Sequence, residues 1–255
     1  MPLQIVTVPC LSDNYAYLAH DAATGAVAVV DVPEVTPILN ALSARGWRAS
    51  HILITHHHDD HIAGVETLAA ATGARVIGAA ADAHRLPPLD EEVAEGDVIR
   101  IGMNHGEVIA VPGHTLGHLA FHFPASKAVF TADSLMSCGC GRLFEGTPRQ
   151  MWDSLLKLMQ LPPETLVCSG HEYTAANIRF ALTVDPANAA LQARAARVAT
   201  AREKGEATVP GLLSEELATN PFLRAGGAAI RAHLGLATAT DAEVFAHLRA
   251  LKDKF

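Results

Sequence analysis

Up to about residue 172 the chain alternates short β-branched or apolar runs with Gly, Pro, Asn and Asp. The runs fall at 4–8, 15–19, 26–30, 51–54, 75–77, 98–101, 107–111, 119–123, 128–130 and 165–168, and each is long enough for a strand and too short for a helix. Two stretches follow the helical period instead. One runs over 62–71; the other opens at Thr147-Pro148-Arg149-Gln150, a capping box with proline at the first helical position, and stops before Pro162-Pro163. Strands with helices set between them predict a layered α/β sandwich.

From Thr174 onward the texture changes to Ala, Arg, Gln and Leu at helical spacing. A helix is expected over 188–204, then a connection over 205–211. Thr240-Asp241-Ala242-Glu243 is a second capping box, opening a last helix. The change divides the chain into an α/β part, 1–173, and a helical part, 174–255, too short to stand alone and expected to pack on the sandwich. No internal repeat is visible.

At 255 residues, 49% hydrophobic and 18% charged, the chain can bury a large core and is not a disordered one. A formal charge of −8 argues against nucleic acid as a partner. No apolar stretch reaches the ~18 residues a spanning helix needs, so no membrane role is expected. The N-terminus carries no Lys or Arg before its apolar residues, which predicts no signal peptide and a cytoplasmic protein. Four cysteines in a chain of this size do not suggest a disulfide framework. The Cys138-Gly139-Cys140 pair, set among glycines, reads as a tight turn rather than a soft-metal site.

The chemistry gathers where four apolar runs end. Run 51–54 leads into Thr55-His56-His57-His58-Asp59-Asp60-His61, and run 107–111 into Pro112-Gly113-His114. Run 128–130 leads into Thr131-Ala132-Asp133, and run 165–168 into Ser169-Gly170-His171. Strand ends at one sheet edge can build a crevice. In extended backbone residues two apart point the same way, so His56 and His58 can share one ion while His57 points elsewhere. Five histidines and two aspartates exceed one tetrahedral site. They divide as His56, His58 and His114 on one ion and Asp60, His61 and His171 on a second, with Asp133 between and an open position on each for a bridging water. Imidazole and carboxylate suit Zn, Fe or Mn, with Zn the first expectation. Asp31, ending an earlier run, is placed to orient a ligand ring from behind. His57 and Asp59 are not expected to be ligands, and His118 reads as a packing neighbour. His20, His51, His84, His105, His122, His233 and His247 are read as ordinary solvated or hydrogen-bonded residues.

Thr55-His56-x-His58-x-Asp60-His61 with Gly64, and Pro112-Gly113-His114-Thr115-x-Gly117-His118, resemble the signature of the metallo-β-lactamase-fold hydrolases. Further segments narrow the resemblance to the hydroxyacylglutathione hydrolases, the glyoxalase II family. These are 9–15, 139–147, Gly170-His171-Glu172-Tyr173-Thr174, Asn220-Pro221-Phe222-Leu223-Arg224 and the terminal Arg249-x-x-Lys252-Asp253-x-Phe255. The resemblance implies a four-layer αββα sandwich with a C-terminal helical domain. It implies a binuclear site, and glutathione held by Arg142, Tyr173, Arg249 and Lys252. Guanidinium and ammonium groups suit the two carboxylates of glutathione. Two departures stand out: Phe144 lies where many relatives have Tyr, and Ala132 and Ser134 replace the commoner Gly and Thr beside Asp133.

The expected reaction is hydrolysis of an S-(2-hydroxyacyl)glutathione, such as the D-lactoyl thioester, to glutathione and a hydroxy acid. Two divalent ions would lower the pKa of a bridging water toward about 7, giving a hydroxide that attacks the thioester carbonyl. Asp60 and Asp133 would serve as catalytic ligands. The leaving thiol, with a parent pKa of about 8.5, needs no strong acid. A monomer is expected. The alternatives are a one-iron persulfide dioxygenase of the same fold and a non-catalytic, metal-stabilised module.

Overall fold

A computed structural model describes all 255 residues. Two six-stranded sheets lie face to face. The first is built from β1 (Gln4–Cys10), β2 (Asn14–His20), β3 (Val27–Val30), β4 (His51–Leu53), β5 (Arg75–Ala79) and β6 (Glu91–Val93), in chain order. Its first three strands are antiparallel and the rest parallel. The second half supplies β7 (Val98–Ile101), β8 (Asn104–Ala110), β9 (Leu119–Phe123), β10 (Ala128–Ala132), the small hairpin β11 (Leu135–Met136) and β12 (Gly139–Cys140), then β13 (Leu166–Ser169) and β14 (Gly211–Leu212). Apart from the hairpin these form a sheet ordered β14-β13-β10-β9-β8-β7.

The period-2 pattern sorts side chains between layers. Tyr17, Val30, Leu53 and Ile77 of the first sheet meet Ile101, Val108, Phe121 and Phe130 of the second in the central core. Their neighbours Leu18, Val29, Ile52 and Val76 face outward. They are covered by α1 (Val35–Ser43) and α3 (Val65–Thr72); the short α2 (Asp59–Ile62) lies between these two in the chain. On the far side Val129 and Val167 are covered by Met151, Trp152 and Leu155 of α4 (Pro148–Met159) and by Phe222, Phe245 and Leu248. The result is the expected αββα order.

The helical part contains α5 (Thr174–Val184), α6 (Ala189–Glu203), α7 (Leu213–Thr219), α8 (Ala228–Leu234) and α9 (Asp241–Lys252). It is tied to the sandwich through a buried ion pair. Arg194 of α6 meets Glu216 of α7, and its guanidinium also donates to Thr219 Oγ1 at 2.6 Å and Ser137 Oγ at 2.8 Å. The other Glu216 oxygen accepts the Cys138 N–H at 2.8 Å, so the hairpin β11–β12 is pinned to α7. Cys138 sits at φ +55 in that tight turn, and all four cysteines are buried free thiols. No helix is long and apolar enough to cross a membrane.

Both capping boxes form as expected, Thr147 with Gln150 and Thr240 with Glu243, and Asn188 caps α6. The helix expected over 62–71 is broken into α2 and α3. Gly64 donates to Val32 O and lies so close to Val32 that a β-carbon there would fall 2.7 Å from its Cγ1. Helix α2 also starts earlier than the pattern suggested, at Asp59. Strand β8 begins at Asn104, three residues before its apolar run. The short strands β6, β11, β12 and β14, and helices α1, α5, α7 and α8, were not separately legible.

Candidate metal centre and its cavity

Strands β8 and β10 both run antiparallel to β9, and β10 pairs parallel with β13, so all three end at the same edge of the second sheet. Strand β4 ends beside them in the first sheet, where the Leu119 N–H donates to Thr55 O at 2.8 Å across the two sheets. A register shift after Phe130 turns the chain so that Asp133 follows β10 directly into the edge. Ala132 makes this turn at φ +41, a left-handed conformation in which glycine is at ease and alanine is strained. Two true glycines allow the close approach. A β-carbon on Gly170 would fall 2.5 Å from Asp133 Oδ1, and one on Gly141 would fall 2.0 Å from Asp133 O.

The seven expected ligands converge. His58 Nδ1 lies 3.2 Å from His56 Nε2 and 3.0 Å from His114 Nε2. His61 Nε2 and His171 Nε2 are 3.3 Å apart, and Asp60 Oδ2 is 3.8 Å from the first and 3.4 Å from the second. These two trios each bring one ligand atom per residue within 4.8 Å of the others. Asp133 spans them: Oδ1 is 3.6 Å from His61 Nε2, and Oδ2 is 3.4 Å from His114 Nε2 and 3.3 Å from His171 Nε2.

The outward nitrogens fix which atom of each ring is free. His61 Nδ1 is 2.8 Å from Asp31 Oδ2, His114 Nδ1 is 2.7 Å from Arg142 O, and His171 Nδ1 is 3.0 Å from Asp13 Oδ1. His56 Nδ1 sits 3.0 Å from the Thr55 hydroxyl, which itself donates to Asp31. A carbonyl or carboxylate partner requires the proton on Nδ1, so each Nε2 turns an unprotonated lone pair inward when the ring is neutral. Facing lone pairs repel, and Asp133 Oδ1 is buried with no hydrogen-bond donor. Divalent cations remove both conflicts at once, so the residues present fit such ions. Asp31, His56 and His61 also cluster. Asp31's oxygens, however, accept from the Thr55 N–H and hydroxyl and from His61, which makes it an orienting group as expected.

The two trios differ electrostatically. Burial, joined by the neighbouring imidazoles, holds His56 well below its ordinary pKa and lowers His58 and His114 too. Burial is also the largest influence on His171, but the hydrogen bond and charge of Asp133, with Asp13 and Asp60, outweigh it and raise the ring to about 9. His61 is raised in the same way. Asp133 is lowered, because His61, His171 and His114 together overcome its own desolvation.

His57 turns away from the centre toward Asp82 and Glu145, Asp59 lines the cavity without joining either trio, and His118 stacks on His56 with ring centroids 4.6 Å apart. These placements agree with the sequence reading. Asp13 and Asn14 were missed as partners, although both lie in the segment 9–15 that carried the resemblance. Asn14 Nδ2 donates to Asp60 Oδ2 at 3.0 Å, and Asp13 holds His171.

A cavity of about 590 Å³ opens over the centre. Arg142, Phe144, Tyr173, Arg249 and Lys252 all line it, together with Asn177, which sequence reasoning did not single out. Tyr173 stacks on His171 at 4.7 Å, and Phe144 packs edge-on against His58 and His114 at 5.4 and 5.3 Å. Arg249 is buried, donating to Cys140 O at 2.8 Å and pairing with Asp253 at 3.0 Å. Lys252 Nζ lies 3.4 Å from Ala176 O, and burial beside Arg249 lowers its pKa.

Residues 14–171 match the profile of the metallo-beta-lactamase superfamily, and residues 172–255 match that of the hydroxyacylglutathione hydrolase C-terminus. A hydroxyacylglutathione hydrolase of Cereibacter sphaeroides (strain ATCC 17023) is 65% identical over 255 residues, covering 100% of both chains. Among solved structures, ETHE1 from Myxococcus xanthus is 26% identical with a TM-score of 0.67, over 98% of this chain and 90% of that one. TTHA1623 in a di-iron-bound form is 29% identical with a TM-score of 0.57, over 66% and 91%.

Proposed function

We propose, for a chain that belongs to the hydroxyacylglutathione hydrolases of the metallo-beta-lactamase superfamily, that two divalent ions are held at the strand ends and that the C-terminal helices seat the glutathione moiety. The enzyme hydrolyses S-(2-hydroxyacyl)glutathione to glutathione and a 2-hydroxy acid. The observation that carries the binuclear reading is Asp133, whose two oxygens face both trios while one of them lacks a donor. Relatedness to a protein crystallised with two irons supports the same count. Zn is the proposed metal, with Fe and Mn suited to the same imidazole and carboxylate ligands.

His56, His58 and His114 would hold one ion, Asp60, His61 and His171 the other, with Asp133 common to both. Such ions, when bound, supply a water activated at neutral pH and a Lewis acid for the thioester carbonyl. The protein's own residues do the rest. Asp31, Thr55 and Asp13 hold the imidazoles in one tautomer, so no reorganisation is needed during turnover. Arg142, Arg249 and Lys252 present cations to the glutathione carboxylates in a chain otherwise net negative. Tyr173, fixed by stacking on His171, places a hydroxyl at the boundary between centre and wall. The glutathione thiolate leaves unaided, its parent thiol having a pKa of about 8.5.

The proposal extends to a cytoplasmic monomer with the sandwich as residues 1–173 and the substrate-seating part as 174–255. Loss of thioester absorbance at 240 nm or so, followed alongside elemental analysis, tests the reaction. Hydrolysis should track ion content; turnover unaffected by chelation overturns the metal-dependent reading.

A further inference from the structure

Phe144 is 62% exposed, yet its ring stays over His58 and His114 on a turn that belongs to no strand or helix. The contacts that hold this turn come from the residue beside it. Both oxygens of Glu145 accept from Arg85, Nη1 to Oε1 at 2.5 Å and Nη2 to Oε2 at 2.9 Å, and Oε2 also accepts the Leu116 N–H at 2.8 Å. A forked guanidinium–carboxylate pair fixes orientation as well as distance.

The fork is anchored in turn. Arg85 Nη2 donates to Asp82 at 2.9 Å, and Asp82 is buried against Gly117, where a β-carbon would fall 2.2 Å from the carboxylate carbon. His57, the member of the first histidine motif that faces away from the centre, lies between the two carboxylates. Its Nδ1 is 3.5 Å from Asp82 and its Nε2 is 3.6 Å from Glu145. The next two backbone bonds, Phe144 N–H to His114 O at 3.2 Å and Gly146 N–H to Gly113 O at 3.0 Å, complete the seam. Three segments distant in sequence, 82–85, 113–116 and 144–146, are thus locked together beside the centre. The Arg85 pairing also holds Glu145 down at about 2, so the fork is charged at neutral pH.

We infer that Arg85 and Glu145, anchored on Asp82, form a clamp that positions the Arg142–Phe144 wall over the centre, and that substrate affinity depends on it although neither lines the cavity. These are positioning residues. The inference rests on the proposed glutathione reading for its kinetic half only.

The test uses metal-loaded Glu145→Gln and, from the other side of the fork, Arg85→Ala, with Arg85→Lys as the conservative variant. Two readouts are taken: tryptic cleavage after Arg142, and kinetics on a glutathione thioester. Loosening the turn should speed cleavage about tenfold as local opening becomes easier. It should raise KM on the order of five- to tenfold with kcat within about twofold, because the wall binds ground and transition states alike. Arg85→Lys should recover part of both, and Arg85→Ala combined with Glu145→Gln should be no worse than either alone. Wild-type cleavage and KM in both single variants, or a fall in kcat at unchanged KM, would overturn the clamp. If the wild-type protein fails to hydrolyse the thioester, the functional reading falls while the cleavage comparison still decides the clamp.

Discussion

The floor and the wall of the cavity are built on different terms. The floor comes from strand ends, and most of its side chains are buried: His61 and His56 are 0% and 1% exposed and Asp133 is 5%, with only His58 and Asp60 partly open to the cavity. Each of His56, His61, His114 and His171 is held from behind by a hydroxyl, a carbonyl or a carboxylate. The wall comes from turns and C-terminal helices. Phe144 and Tyr173 are exposed, and Arg142 reaches only a loose 3.9 Å approach to Asp253. Pre-set groups stabilise a transition state without reorganising, whereas an exposed, loosely held cation such as Arg142 loses side-chain freedom when it binds. Damage to the floor should therefore appear in kcat, and damage to the wall in KM.

The largest effect expected is on the floor. Asp133→Ala removes the group facing both trios and should lower kcat on the order of 10³-fold or more while metal content falls; full activity with full metal would break the comparison at its base. The joint between floor and wall comes next. Glu216→Ala leaves the buried Arg194 with only the partly exposed Glu215, 3.3 Å from its Nε, as a carboxylate partner, costing up to about 3 kcal/mol in denaturant unfolding. A change below about 1 kcal/mol would show that α7 is not what holds the hairpin.

On the wall, Lys252→Ala should raise KM roughly ten- to a hundredfold at nearly constant kcat, since one charged contact is worth about 1.5–3 kcal/mol. Arg249→Ala mixes this effect with loss of its bond to Cys140 O, so its thermal stability should fall as well. A kcat-only defect in Lys252→Ala would place the ammonium at the chemistry instead.

Acid–base behaviour separates the two trios. In metal-stripped protein the raised His171, helped by His61, contributes stability fully below pH about 6.5 and loses it as pH rises through about 9. The lowered His56, His58 and His114 act in the opposite sense, but only below about 6.5. Melting temperature of stripped protein should therefore fall between pH 7 and 9.5, while metal affinity rises over the same interval as a proton ceases to compete at His171. A flat profile would contradict the arrangement around Asp133. The smallest effect belongs to the strained turn: Ala132→Gly should stabilise by no more than about 1 kcal/mol, relief of φ +41 being partly offset by the freer unfolded chain.

The floor was legible because each proposed ligand follows an apolar run, and run ends are marked by composition alone. The fold class followed from the same runs, and both capping boxes marked their helices at the right residue. What stayed hidden depends on contacts between distant segments. The break at Gly64 is set by Val32, the buried Arg194–Glu216 pair joins two helices of ordinary surface composition, and β6, β11, β12 and β14, at two or three residues with no apolar run to extend them, have no period to detect. The wall was reached through family resemblance. Arg249, Lys252 and Tyr173 carry no local signal that distinguishes a substrate contact from a helix-end charge or an exposed ring.

The most direct test of the central claim is elemental analysis of fractions reconstituted with increasing metal, each assayed for hydrolysis of a glutathione thioester. The account predicts activity that reaches its plateau at two ions per chain. Full activity at one ion, or none, would contradict it.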